Sequence, residues 1–95
     1  MANKVVFISG PISGIKMGNF DAFLNAEERL TQAGYAVITP AYLPDDMPKD
    51  RYMPITLAML QAADIVYMLQ GWEDSRGATI EHKLAEYQGK EIRYE

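Results

Sequence analysis

Two carboxylates, Asp74 and Glu81, lie close together in the stretch Gln70 to Glu86, where a glycine-containing polar turn runs directly into an amphipathic helical pattern. Such a pair can divide labour, one acid ionised as a nucleophile and the other protonated as a proton donor, if their surroundings separate their pKa values. Turning residues 75 to 88 through about 100° per residue puts Gly77, Ala78, Ile80, Leu84, Ala85 and Tyr87 on one half of the helix. Ser75, Arg76, Thr79, His82, Lys83 and Glu86 fall on the other half, and Glu81 lands in the middle of the apolar one. A carboxylate on a buried stripe is costly unless paired or hydrogen-bonded, so Glu81 is either a satisfied structural acid or a working one. Glu27 also falls within an apolar arc, which weakens the argument from the wheel alone. Asp74 reads equally as a turn residue, and His82, on the polar face, reads as an exposed histidine without a chemical role.

A second group precedes Asn19. The run Ser9, Gly10, Pro11, Ile12, Ser13, Gly14 leads toward a helix for which Asn19 is a good N-cap. Backbone amides and a helix N-terminus suit an anion, yet the same residues serve as a tight strand-to-helix connection, and they match neither a dinucleotide fingerprint nor a Walker loop. Ser75 reads as the N-cap of the last helix, as a phosphate ligand, or as both. Trp72, the one tryptophan, either stacks on a flat ligand or covers the core.

Positioning these residues requires a strand, helix, strand, helix, strand, helix, strand alternation. Lys4 to Ser9 is a β-branched and aromatic run that reads as a strand buried on both faces. A helix follows to about Ala33, packing through Phe20, Phe23, Leu24, Ala26 and Leu30 and ended by Gly34. Tyr35 to Thr39 is the second strand. Pro40 to Asp50 is a polar loop too long for a plain connection, and a lid is one use for it. The next helix spans about Pro54 to Ala62, with Ile55, Leu57, Ala58, Met59, Leu60 and Ala62 facing the core. Ala63 to Leu69 is the third strand, with Asp64 at its start in a structural role, and Glu91 to Tyr94 is a last short strand.

At these spacings the alternation implies right-handed crossovers. The expected fold is a single α/β domain over residues 1–95, a Rossmann-like or flavodoxin-like parallel sheet of order 2-1-3-4 with helices on both faces. Ligands of such sheets sit outside the carboxyl ends of the strands where the strand order reverses, here between strands one and three. That topology brings the Ser9–Gly14 loop to the Gln70–Asp74 turn.

Composition narrows the partners. A net charge of -4 with scattered Lys and Arg excludes the basic stripe of a polynucleotide-binding surface. A chain without cysteine and with one histidine offers little to a transition metal, so neither a metal nor a cofactor is expected. The longest early apolar run, Val5 to Ile8, is too short for a membrane span, which points to a cytoplasmic protein without a membrane partner.

The segments Phe-Ile-Ser-Gly-Pro-Ile-Ser-Gly, Asn-Phe, and Gly-Trp-Glu-Asp-Ser-Arg-Gly-Ala-Thr-Ile-Glu-His-Lys-Leu-Ala together resemble the nucleoside 2-deoxyribosyltransferase-like superfamily, in a small phage and bacterial branch related to the nucleotide N-hydrolases. The resemblance spans nearly the whole chain. It implies N-glycosidic chemistry on a nucleoside or nucleoside 5′-monophosphate, in homo-oligomers whose neighbouring subunits complete each site. Glu81 matches the nucleophilic glutamate, and Asp74 is then the candidate acid. Ser9, Gly10, Pro11, Ser13, Gly14, Asn19, Trp72, Ser75 and Gly77 are the candidate substrate-binding residues, with Ser75 at the position that contacts a 5′-phosphate. One departure stands out: many relatives carry an aspartate at the start of the second helix where this chain has Thr56, a place Asp50 or Asp74 would have to fill. The implied function is cleavage or transfer of the N-glycosidic bond of a (2′-deoxy)nucleoside 5′-monophosphate. The alternative is a non-catalytic protein that sequesters a nucleotide or signalling metabolite in the same pocket.

Overall fold

The computed structural model describes residues 3–12, 19–44 and 46–95. Ser13 and Gly14, both candidate ligand contacts, lie outside the described residues. Four strands, β1 (Val5–Ser9), β2 (Ala36–Ile38), β3 (Ile65–Met68) and β4 (Glu91–Tyr94), alternate with three helices, α1 (Phe20–Gln32), α2 (Lys49–Gln61) and α3 (Arg76–Tyr87). The sheet has the order β2-β1-β3-β4 and every neighbouring pair is parallel. This is the architecture expected from the alternation of elements.

Successive residues of a strand point to opposite faces, and the core divides accordingly. Phe7, Val66 and Met68 pack with Leu60 of α2 and Ala78 and Ala85 of α3 on one face. Ile8 packs with Phe23 and Ala26 of α1 on the other, together with Leu69 just beyond β3. Ser9 follows the parity of Phe7 and therefore points toward α2 and α3. At the opposite end of the strands the backbone N–H of Val5 donates to Asp64 Oδ2 at 2.8 Å, the structural role expected of that aspartate. Lys90 Nζ donates to the Ala63 carbonyl at 2.7 Å and to that of Gln61 at 3.2 Å, taking up carbonyls that the end of α2 leaves free.

Several boundaries differ from the sequence reading. Helix α2 begins at Lys49 rather than Pro54, so Pro54 sits inside it, on the exposed side. Having no N–H, it cannot donate to the Asp50 carbonyl one turn earlier, so the helix gives up one bond of its ladder there. The earlier start shortens the irregular part of the expected loop. A 3-10 turn at Pro40–Tyr42 shortens it again, and Tyr52 of α2 donates its hydroxyl to the Pro40 carbonyl at 3.2 Å. That bond ties the Pro40–Tyr42 turn to α2.

The inward face of α2 is set by Thr56 and Leu60, whereas Ile55, Ala58 and Ala62, expected in the core, are exposed. Tyr87, placed on the apolar half of α3, is 89% exposed, and Ile80 is exposed as well. Asn19 occupies the N-cap position of α1 with left-handed backbone (φ 63°), and its side chain makes no capping bond. Asparagine tolerates that conformation better than most residues, so it serves the turn rather than the cap.

Candidate functional site

The end of β1 carries Ser9, fully buried, and its hydroxyl donates to Glu81 Oε1 at 2.5 Å across 72 positions of sequence. Glu81 projects from α3 and is only 6% exposed. Thr56 of α2, also buried, lies beside the same carboxylate, and its hydroxyl donates to the Met53 carbonyl at 3.2 Å. Three elements thus converge on one acid. Burial pushes the Glu81 carboxyl above its ordinary value, and the hydroxyls of Ser9 and Thr56, which favour the anion, offset this only in part. The Tyr52 phenol is raised by burial and then by the negative charge of Glu81, so it too belongs to the surroundings of the acid.

The described part of the first loop, Ser9 to Pro11, meets the turn that follows β3. Leu69 N–H donates to the Ser9 carbonyl at 2.8 Å. A Cβ at Gly10 would stand 2.8 Å from Leu69 Cβ, closer than real side chains approach, so glycine is needed there for packing. Gly71 holds φ at 86°, a left-handed turn, and a Cβ on it would come 3.5 Å from the buried Pro11 ring. Gly77, at the start of α3, faces Met53 Sδ where the two helices pass each other.

Other candidates take different places. Ser75 caps α3, its Oγ accepting from Ala78 N–H at 3.3 Å. Asp74 is exposed in a 3-10 turn, Trp72–Asp74, and is not among the groups acting on the Glu81 carboxyl. The paired-acid arrangement is therefore not what surrounds Glu81. Glu27, the other acid in an apolar arc, lies away from the switch point and accepts from the Tyr42 hydroxyl at 2.5 Å.

Trp72 packs against the core and stacks on His82, ring centroids 4.2 Å apart and planes 20° from parallel. His82 is not the exposed histidine that the wheel implied: its side chain is 12% exposed, with Nε2 2.7 Å from the Tyr94 hydroxyl. A groove of about 420 Å³ runs along the carboxyl ends of β3 and β4, with Gln70, Gly71, Trp72, Glu73 and Tyr94 in its wall. Glu81, Ser9 and Thr56 do not line it, so the groove and the buried carboxylate are separate features.

Tyr52, Tyr94 and the packing of His82 against Trp72 have no signal in the sequence, where Thr56 is marked only as the place of a missing aspartate. The signal for Thr56 was its spacing of four from Leu60, which is the buried phase of α2, masked by apolar residues all around that helix. Among the described residues no three carboxylate, imidazole or thiol side chains converge as metal ligands would. Nor is any helix of the described residues long and apolar enough to cross a membrane.

Fold and site together define a small doubly wound α/β protein with a buried, hydroxyl-held glutamate at the switch point of its sheet. The chain belongs to the family described as domain of unknown function DUF4406, which matches it over residues 4–94. No curated protein matches the sequence.

Proposed function

We propose that the protein cleaves or transfers the N-glycosidic bond of a (2′-deoxy)nucleoside 5′-monophosphate, with Glu81 as the nucleophile. The observation that carries this reading is the Ser9–Glu81 contact: an acid held in a defined orientation inside the protein, at the place where open α/β sheets bind ligands. The resemblance of the motifs to the nucleoside 2-deoxyribosyltransferase-like superfamily supplies the reaction class.

In that reaction a Glu81 oxygen attacks the anomeric carbon and the carbon–nitrogen bond breaks. Its electron pair leaves with the base, which takes a proton from solvent. A glycosyl ester on Glu81 results, and water or a second base then attacks the same carbon and frees the carboxylate. Ser9, through its bond to one carboxylate oxygen, acts here as a positioning residue for Glu81. The amides that open α3, beside Ser75 and Gly77, together with exposed Arg76, suit the 5′-phosphate. Exposed Ile80 and Tyr87 support a homo-oligomer.

One observation favours the second reading, a nucleotide- or signalling-metabolite-binding protein without turnover. Thr56 stands where many relatives carry an aspartate, and Asp74, a candidate to replace it, is exposed in the Trp72–Asp74 turn. Incubation with a panel of nucleoside monophosphates separates the two. Base release that disappears in Glu81→Gln supports the enzyme, whereas tight binding without release, unchanged by that substitution, overturns it.

A further inference from the structure

The cluster at the end of β4 has an order of its own. Glu86 Oε1 lies 3.4 Å from Nδ1 of His82, one helical turn earlier on α3, and Nε2 lies 2.7 Å from the Tyr94 hydroxyl. A carboxylate beside Nδ1 favours the tautomer with its proton there and leaves Nε2 as the acceptor. The stacked Trp72 ring fixes the plane of the imidazole. Carboxylate, imidazole and hydroxyl thus follow one another as in a base-assisted nucleophile.

Tyr94 is held as firmly as the cluster behind it. It pairs with Met68 in the sheet, and the next residue donates its N–H to the Met68 carbonyl at 2.9 Å. The carboxylate of that residue, Glu95, accepts from Gln70 N–H at 3.1 Å and from Arg29 at 2.9 Å. Tyr94 forms part of the groove wall and is 56% exposed, so a ligand in the groove can reach it. Glu73 and Glu95 at the same groove disfavour an anionic phosphoryl group and leave a neutral acyl group as the electrophile that fits.

We propose that Tyr94 is a nucleophile, assisted by His82 and Glu86, that accepts an acyl group from an activated ester seated in this groove. The phenolic oxygen attacks the ester carbonyl carbon while its proton passes to Nε2. The tetrahedral adduct collapses, the carbon–oxygen bond to the leaving group breaks, and the departing oxygen takes the proton back from the imidazolium. The product is an ester on Tyr94. Glu86 stabilises the imidazolium formed in between. None of Ser9, Thr56 or Glu81 takes part, so this reading stands or falls apart from the glycosidic one.

The test uses p-nitrophenyl acetate and peptide mass mapping of the acetylated tyrosines. Tyr87, at 89%, is more exposed than Tyr94 and is the internal reference, with Tyr42, whose hydroxyl is bonded to Glu27, as a held phenol for comparison. Tyr94 is expected to be acetylated roughly tenfold or more faster than either, and His82→Gln is expected to bring it down to the rate of Tyr87. Acetylation that simply follows exposure, or a Tyr94 rate unchanged in His82→Gln, overturns the proposal. Nitrogen NMR of the unmodified protein gives a second readout that does not depend on a variant folding. A neutral His82 with its proton on Nδ1 supports the relay, and one with its proton on Nε2 overturns it.

Discussion

Ionising Glu81 inside the protein costs more than ionising a glutamate in water, and two hydroxyls return only part of the difference. With its folded pKa above the unfolded value, the group's contribution to stability is fully present below the unfolded value and is lost as pH rises through the folded one. Glu81→Gln, which removes the charge and keeps an acceptor for Ser9, should therefore be more stable than the parent by about 1 kcal/mol at alkaline pH. Urea titrations across pH should show that gain vanish as the solution is made acidic. Catalysis runs the other way, because attack needs the anion: base release should climb with pH through a value above the usual carboxylate range. Ser9→Ala leaves a buried acceptor with one donor fewer, at a cost of about 1–3 kcal/mol in unfolding experiments. It should also move that climb to still higher pH. At this scale the sequence already marked Glu81 as an acid out of place. It could not separate Ser9 as a substrate contact from Ser9 as the holder of the acid, because that depends on a bond between residues 72 positions apart.

The elements themselves were legible where local rules act alone. Ser75 caps α3 as its position before an amphipathic run implied, and Ser75→Ala should cost about 1 kcal/mol, measured as a shift in the urea midpoint. Helix α2 was read less well, since its apolar residues surround the axis and only contact with α3 decides that Thr56 and Leu60 face inward. Asn19 was misread for a related reason: a good capping side chain does not cap when its backbone is left-handed. Gly10 reads from sequence as a ligand loop or a tight connection, and its contact with Leu69 gives a packing reason for glycine there. Gly10→Ala should cost about 1–3 kcal/mol from overpacking, and shortening Leu69 in the same chain should recover part of that loss.

For the whole molecule, the alternation of strands and helices was enough to give the order β2-β1-β3-β4, because right-handed crossovers leave few other arrangements. Surface contacts carry no such rule, and the exposure of Tyr87 became visible only with the fold. If a second copy covers that face, Tyr87→Glu should lower the sedimentation coefficient without changing the unfolding of the monomer. The central place of β1 bears on how the protein is made. Of these four strands, the first to be synthesised is the one flanked on both sides in the finished sheet, so its second edge stays open until Met68 has been synthesised. Parallel pairing over such separations is slow, and an open strand edge invites other chains meanwhile. Glu81 emerges later still, so a nascent chain halted before α3 would hold Ser9 without its acceptor. The carboxylate on which the proposed chemistry rests joins a sheet whose three earlier strands are already made.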